Sequence, residues 1–224
     1  MKKDKNNNNC GKDKSSKKRR EIYFPTKDEF IKGIKEFEKN EKRDVAYKVS
    51  IFFISQFWGC PRNMAYGIGT LLLVWNNSFY RYRIFDFDKL EECIKENLEK
   101  LSKFKKRNIT TLSESDELEV ENIFNEFLEA LKISDNKKSP VAVAKALHLL
   151  APNFFPLWDS KIAKAYGCNY HKNDPAKEYI KFMKLMKELT KHVTHFINLS
   201  YYPNKTILKL IDEYNYAKYT KKWI

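Results

Sequence analysis

Along residues 26–218 the apolar side chains recur at spacings of three and four, and no stretch alternates apolar with polar as a half-buried strand requires. A chain patterned in this way is expected to be all-α. Start and stop signals divide it into about nine helices. Thr26 and Glu29 form a capping box that opens a helix to about Asn40, with Phe30, Ile34 and Phe37 on its inner face. A second helix is predicted over 44–58, with Val45, Val49, Phe52, Phe53 and Ile54 inward, and Gly59-Cys60-Pro61 breaks it. The third spans 63–75, where Gly67 and Gly69 permit close approach of another backbone.

Further along, residues 80–85 read as a short extended segment. Asp86 or Asp88 caps a charged helix ending near Lys106. Ser113 or Ser115 caps another, with Leu118, Ile123, Phe127, Leu128 and Leu131 inward. Ser139-Pro140 begins an apolar helix that stops by Pro152, and Asp159 caps a short helix closed by Gly167. Asp174-Pro175 opens a long helix through Ile197, and residues 204–218 make the last. The expected arrangement is one helical unit over 21–224 with two lobes and a cleft near 139–167.

Charge narrows the choice of partner. Lysine and arginine number 43 against 29 acidic residues, a net +14. Residues 1–20 hold nine basic and two acidic side chains, hence +7, with no large apolar residue after Met1. That segment is expected to be a disordered basic tail. The remaining +7 still favours a polyanion, DNA or RNA, through phosphate neutralisation. Cys10, Cys60, Cys93 and Cys168 lie far apart without zinc spacing, so no metal or cofactor is called for. The longest apolar runs, 51–58 and 68–75, are too short to span a bilayer, and the N-terminus lacks the apolar stretch of a signal peptide. No membrane partner and a cytoplasmic location are expected.

The segment SPVAVAKALHLLAPNFFPLWDSKIAKAYG, residues 139–167, concentrates the chemistry. Lys145 lies on a helix of small and apolar residues. A proline-bounded aromatic turn follows, and then Asp159 at the start of the next helix. An amine in a poorly solvated site loses its proton more readily and becomes a nucleophile, while a nearby carboxylate can accept that proton or stabilise a cationic transition state. The plainer alternative is that Lys145 emerges to solvent and Asp159 only caps.

These residues, Val141-Ala-Val-Ala-Lys145, Leu147-His148-Leu149-Leu150 and Leu157-Trp158-Asp159-Ser-Lys-Ile162, resemble the helix-hairpin-helix DNA glycosylases, most of all the archaeal 8-oxoguanine branch. Val141 and Val143 stand where that family's hairpin carries glycines. The resemblance implies that Lys145 attacks the sugar C1′ to expel a damaged base through a Schiff base that permits strand cleavage, with Asp159 assisting. Damaged duplex DNA would be the substrate.

Other residues are candidates for nucleic-acid contact. His148 shares a helix side with Lys145, while Phe154 and Trp158 could stack on an extruded base. Arg81 and Arg83 alternate with tyrosines, and Lys105, Lys106 and Arg107 close a basic cluster. The competing function is a non-catalytic DNA- or RNA-binding helical module, with a helical protein-interaction scaffold third.

Overall fold

The computed structural model describes residues 23–171 and 173–224, so the expectation for the basic tail, residues 1–20, lies outside the described residues. Among them are ten α-helices and no strand, the all-α class that the periodicity predicts. The caps act as their chemistry requires. Thr26 accepts from the Glu29 amide at the start of α1 (Lys27–Asn40), and Asp86 caps α5 (Phe87–Lys105). Ser139 caps α7 (Pro140–Leu150), Asp159 caps α8 (Ser160–Ala165) and Asp174 caps α9 (Pro175–Thr194). Gly167, at φ 72°, supplies the left-handed turn after α8.

Several boundaries differ from expectation, each for a local reason. Pro61, read as a breaker of α2 (Asp44–Gln56), also occupies the first position of α3 (Pro61–Trp75), where its missing N–H costs nothing. A tenth helix, α4 (Asn77–Tyr80), ends at the first residue of the segment expected to be extended, and residues 81–86 form neither helix nor strand. Ser113 heads a 3₁₀ turn, closed reciprocally by Asp116, before α6 (Glu117–Ala130). Asn204 takes a left-handed φ of 65°, so the last α-helix, α10 (Ile207–Asn215), waits for Thr206 to cap it and continues as a π turn, Tyr216–Lys221.

Two burial expectations are corrected. Val45, Val49 and Phe52 are exposed (61, 51 and 65%), and α2 turns Ala46, Tyr47, Ser50 and Ile54 inward instead. The reason is close packing of α2 on α3: a Cβ on Gly67 would stand 2.6 Å from Ile54 Cγ1, a separation only small residues on the facing surfaces allow. Leu118, in the first turn of α6, is likewise exposed, while Ile123, Phe127, Leu128 and Leu131 are buried as predicted. Most of the buried apolar side chains form one cluster running from Phe30 to Tyr214.

The link from α6 to α7 is a backbone hairpin: Ile133 N–H donates to Lys137 O at 3.0 Å, and Lys137 N–H to Ser134 O at 2.9 Å. Val141 and Val143 lie beyond it, inside α7. Neither adopts a positive φ, so the strain that glycines would relieve does not arise there. No helix of the described residues is long and apolar enough to cross a membrane.

Candidate active site

Helix α7 is buried on nearly all sides, so Lys145 is largely shielded from solvent; the residue is 8% exposed. Its amine donates to Trp75 O at 3.1 Å and to Asn76 Oδ1, both at the C-terminus of α3. Both acceptors are neutral. Burial therefore dominates and pulls the Lys145 ammonium down to about 8, against the pull of Asp159 and Asp212.

Beside the amine lies a cavity of about 200 Å³ whose lining includes Lys145, Leu157, Trp158, Asp159 and Ile162. The two residues singled out in the sequence thus meet at one space, brought there by α7, the aromatic turn and the start of α8. The rest of the lining comes from distant segments: Phe37 and Glu41 from the end of α1, Arg43 before α2, Trp75 from α3, Asp212 from α10, and Tyr216 and Thr220 from the π turn.

Both oxygens of Asp159 are engaged. Its Oδ1 accepts from the Lys161 and Ile162 amides, each at 2.8 Å, and its Oδ2 accepts from the Thr220 hydroxyl. Glu41 and Arg43 form a two-point pair at 2.8 and 2.9 Å that holds the Glu41 carboxyl down at about 2, and Tyr216 donates to the same carboxylate at 2.8 Å. Asp212 differs from both: no described side chain donates a hydrogen bond to it within the usual limits, and its nearest cation is the Lys209 ammonium at 3.9 Å. Burial pushes its carboxyl up to about 7, helped by Asp159 and Glu213 and opposed by Lys209.

Behind the cavity wall Lys209 is wholly buried among Asp44 at 3.0 Å, Glu213 at 3.1 Å and Asp212. Its ammonium also lies 4.2 Å above the Phe37 ring and 4.8 Å above that of Tyr47. Burial disfavours this charge, yet Glu213, Asp212 and Asp44 outweigh it and raise its pKa.

The remaining sequence candidates separate by burial. His148 is inaccessible: its Nδ1–H donates to Phe155 O at 2.8 Å and its Nε2 accepts from the Tyr47 hydroxyl at 3.0 Å, so burial holds the ring neutral with its pKa near 3. Phe154 is also fully buried, against Phe104 and Phe155. Neither can touch nucleic acid in this fold, because a ring enclosed by protein has no face to offer. Trp158 borders the cavity but is 1% exposed, packed on Tyr170, Tyr179 and Phe182, with Nε1 donating to Pro140 O at 3.2 Å. Trp75 and Tyr216 are the half-buried aromatics of the cavity wall.

Outside the cavity, Arg81 and Arg83 are exposed with Tyr82 between them, and Lys106 is exposed at the end of α5. Lys105 is folded over the Trp58 ring at 3.6 Å, and Arg107 grips Asp116 through two contacts of 2.6 and 2.8 Å. The basic cluster is therefore divided: Lys106 faces solvent, while Arg107 serves the fold. Among the described residues no group of three or more His, Cys, Asp or Glu side chains could hold a metal ion.

Asp212, Arg43 and Trp75 escaped the sequence reading. The sign available was Lys209, Asp212 and Glu213 at positions i, i+3 and i+4 of an otherwise apolar helix, a charged trio too costly to bury unless mutually paired. No protein-family model matches the chain, and no curated protein or solved structure matches it either.

Proposed function

We propose that the protein is a DNA glycosylase with lyase activity, using Lys145 as its nucleophile. The observation that carries this reading is that the Lys145 amine and the Asp159 carboxylate border one cavity in which burial brings the amine to about 8, near neutrality. In the reaction the neutral amine attacks the sugar C1′, and the bond from C1′ to the base breaks with its electron pair leaving on the base. The nitrogen then loses a proton as the C1′–O4′ bond breaks and O4′ gains one, giving a Schiff base, and removal of a C2′ proton expels the 3′ phosphate with the electron pair of the C3′–O bond. Asp159, fixed by three donors, contributes negative charge beside the developing cation. The exposed Arg81, Arg83 and Lys106 are consistent with a duplex substrate.

Borohydride trapping on DNA carrying 8-oxoguanine, uracil, oxidised pyrimidines or an abasic site tests the reading. The expected result is a covalent adduct at Lys145 that Lys145→Gln abolishes while salt-dependent binding persists. A folded, DNA-binding protein that is trapped by none of these substrates is the non-catalytic nucleic-acid module instead.

A further inference from the structure

The amine that attacks must first lose a proton, and the cavity holds three carboxylates that could take it: Glu41, Asp159 and Asp212. Hydrogen bonding decides among them. Glu41 is closed by Arg43 and Tyr216, and both oxygens of Asp159 are used by the Lys161 and Ile162 amides and the Thr220 hydroxyl. A carboxylate that already accepts several hydrogen bonds has its charged form favoured by them, and protonating Asp159 would also weaken its bonds to the α8 amides.

Asp212 carries no such burden. Its surroundings also hold too little positive charge for it. Lys209 sits at 3.0 and 3.1 Å from Asp44 and Glu213 but 3.9 Å from Asp212, and Lys205, the next cation, pairs with Glu38 and Glu213 at 2.8 Å each. The groups around Asp212 are thus Lys209 and Glu213 of its own helix, Asp44 of α2, Lys145 of α7, Asp159 ahead of α8, and the Glu41–Arg43 pair with Tyr216. Asp212 is the carboxylate this set neutralises least.

Resting on the nucleophilic reading of Lys145, we propose that Asp212 is the proton acceptor for its ammonium, with Asp159 retained as a fixed charge and helix cap. The step conserves atoms and charge: one N–H bond of the ammonium breaks, one O–H bond forms on Asp212, and a cation and an anion become a neutral amine and a neutral acid. The two side chains face the same cavity without an ion pair between them, so the proton crosses by way of a solvent molecule or a polar group of the substrate. The acid left on Asp212 can then protonate the departing base.

The test pairs two measurements on the full chain with Asp212→Asn, Asp212→Glu and Asp159→Asn, all checked for folding by circular dichroism. Acetylation of Lys145 by acetic anhydride, followed by mass spectrometry from pH 6 to 10, reads the amine's protonation without any DNA. Removing the Asp212 charge favours the neutral amine, so labelling of Asp212→Asn at pH 7.5, above the Asp212 value of about 7, should rise by about threefold, as for a one-unit fall of the amine from about 8. Borohydride-trapped adduct with abasic-site DNA should move the opposite way, falling about tenfold or more, and Asp212→Glu should restore both. A merely structural role would not raise one readout while lowering the other. An unchanged labelling profile in Asp212→Asn overturns the proposal, as does undiminished trapping. If the wild type forms no adduct with any DNA, the glycosylase reading fails separately, and the labelling profile still decides whether Asp212 governs the Lys145 proton.

Discussion

Asn76 accepts a hydrogen bond from the Lys145 amine through its side-chain oxygen while its amide nitrogen donates to Ser139 Oγ at 3.3 Å. The second bond fixes which end of the amide faces the lysine. Because Ser139 also caps α7, the helix that carries the amine and the group that receives it are set by one hydroxyl. The acceptor is polar but uncharged, which lets burial lower the ammonium to about 8 without leaving its protons unsatisfied.

Asn76→Asp should therefore undo the tuning. A carboxylate at the amide's position favours the ammonium, so the pH at which Lys145 becomes reactive should rise by about one unit or more. At pH 7.5 acetylation of Lys145 should fall by about tenfold, and any Lys145-dependent cleavage should gain an alkaline-shifted acid limb. An unaltered labelling profile would mean that Asn76 does not set the protonation of this amine.

The same burial acts on stability. Between about 8 and the ordinary lysine value of 10.5, the unfolded chain holds a proton that the folded chain has released. Stability due to this group consequently rises with pH across that window, and below it the folded state bears a cost of roughly 3 kcal/mol at ~1.4 kcal/mol per pH unit. Lys145→Met removes the titration and leaves Trp75 O and Asn76 Oδ1 without their donor, a penalty that does not depend on pH. In urea unfolding, the stability of Lys145→Met relative to wild type should thus decline by about 3 kcal/mol from pH 7 to pH 10.5. A difference constant with pH would show that the lysine is not held in a depressed state.

Trp158 is a packing residue in this fold, at 1% exposure between Tyr170, Tyr179 and Phe182. Trp158→Ala should cost about 3–5 kcal/mol in chemical denaturation. Trp158→Phe should cost less, since it keeps an aromatic ring and loses mainly the bond to Pro140 O, worth about 1 kcal/mol. Unchanged stability of Trp158→Ala together with weakened DNA binding would instead make the indole a contact residue.

What was legible in the sequence follows from the range of the interactions. Caps are local: Thr26, Asp86, Ser139, Asp159 and Asp174 each announce a helix through a bond to an amide two or three residues on, and all five hold. The convergence of Lys145 and Asp159 was legible for a related reason, because only a tight turn separates their helices. Faces were harder. The apolar surface of α2 extends most of the way around, so periodicity alone could not tell that Ala46 and Ser50 would turn inward and leave Val45, Val49 and Phe52 outside. Asp212 was illegible as a site residue because α10 meets α7 and α8 only through the fold, 53 positions beyond Asp159.

The basic residues predicted for nucleic-acid contact now divide into two groups with opposite expected behaviour. Arg81 and Arg83 are exposed beside Tyr82, whereas Arg107 is committed to Asp116, whose carboxyl it holds down at about 2. Replacing Arg81 and Arg83 together by alanine should leave folding intact, because neither side chain supports the core. If each contacts a phosphate, the double variant should bind DNA more weakly, and the slope of log affinity against log salt should shrink by about 2, at ~0.9 per contact. Arg107→Ala should do the reverse. It leaves the nearly buried Asp116 without its cation, costing roughly 1–2 kcal/mol near neutral pH, with little change in the salt slope. That cost should disappear in acid: the depressed Asp116 carboxyl contributes stability above its ordinary value and loses it as pH falls toward 2. Titrations at several salt concentrations, alongside urea unfolding at neutral and acid pH, separate the two groups. An equal salt slope in the wild type and the Arg81, Arg83 double variant would remove that loop from the interface.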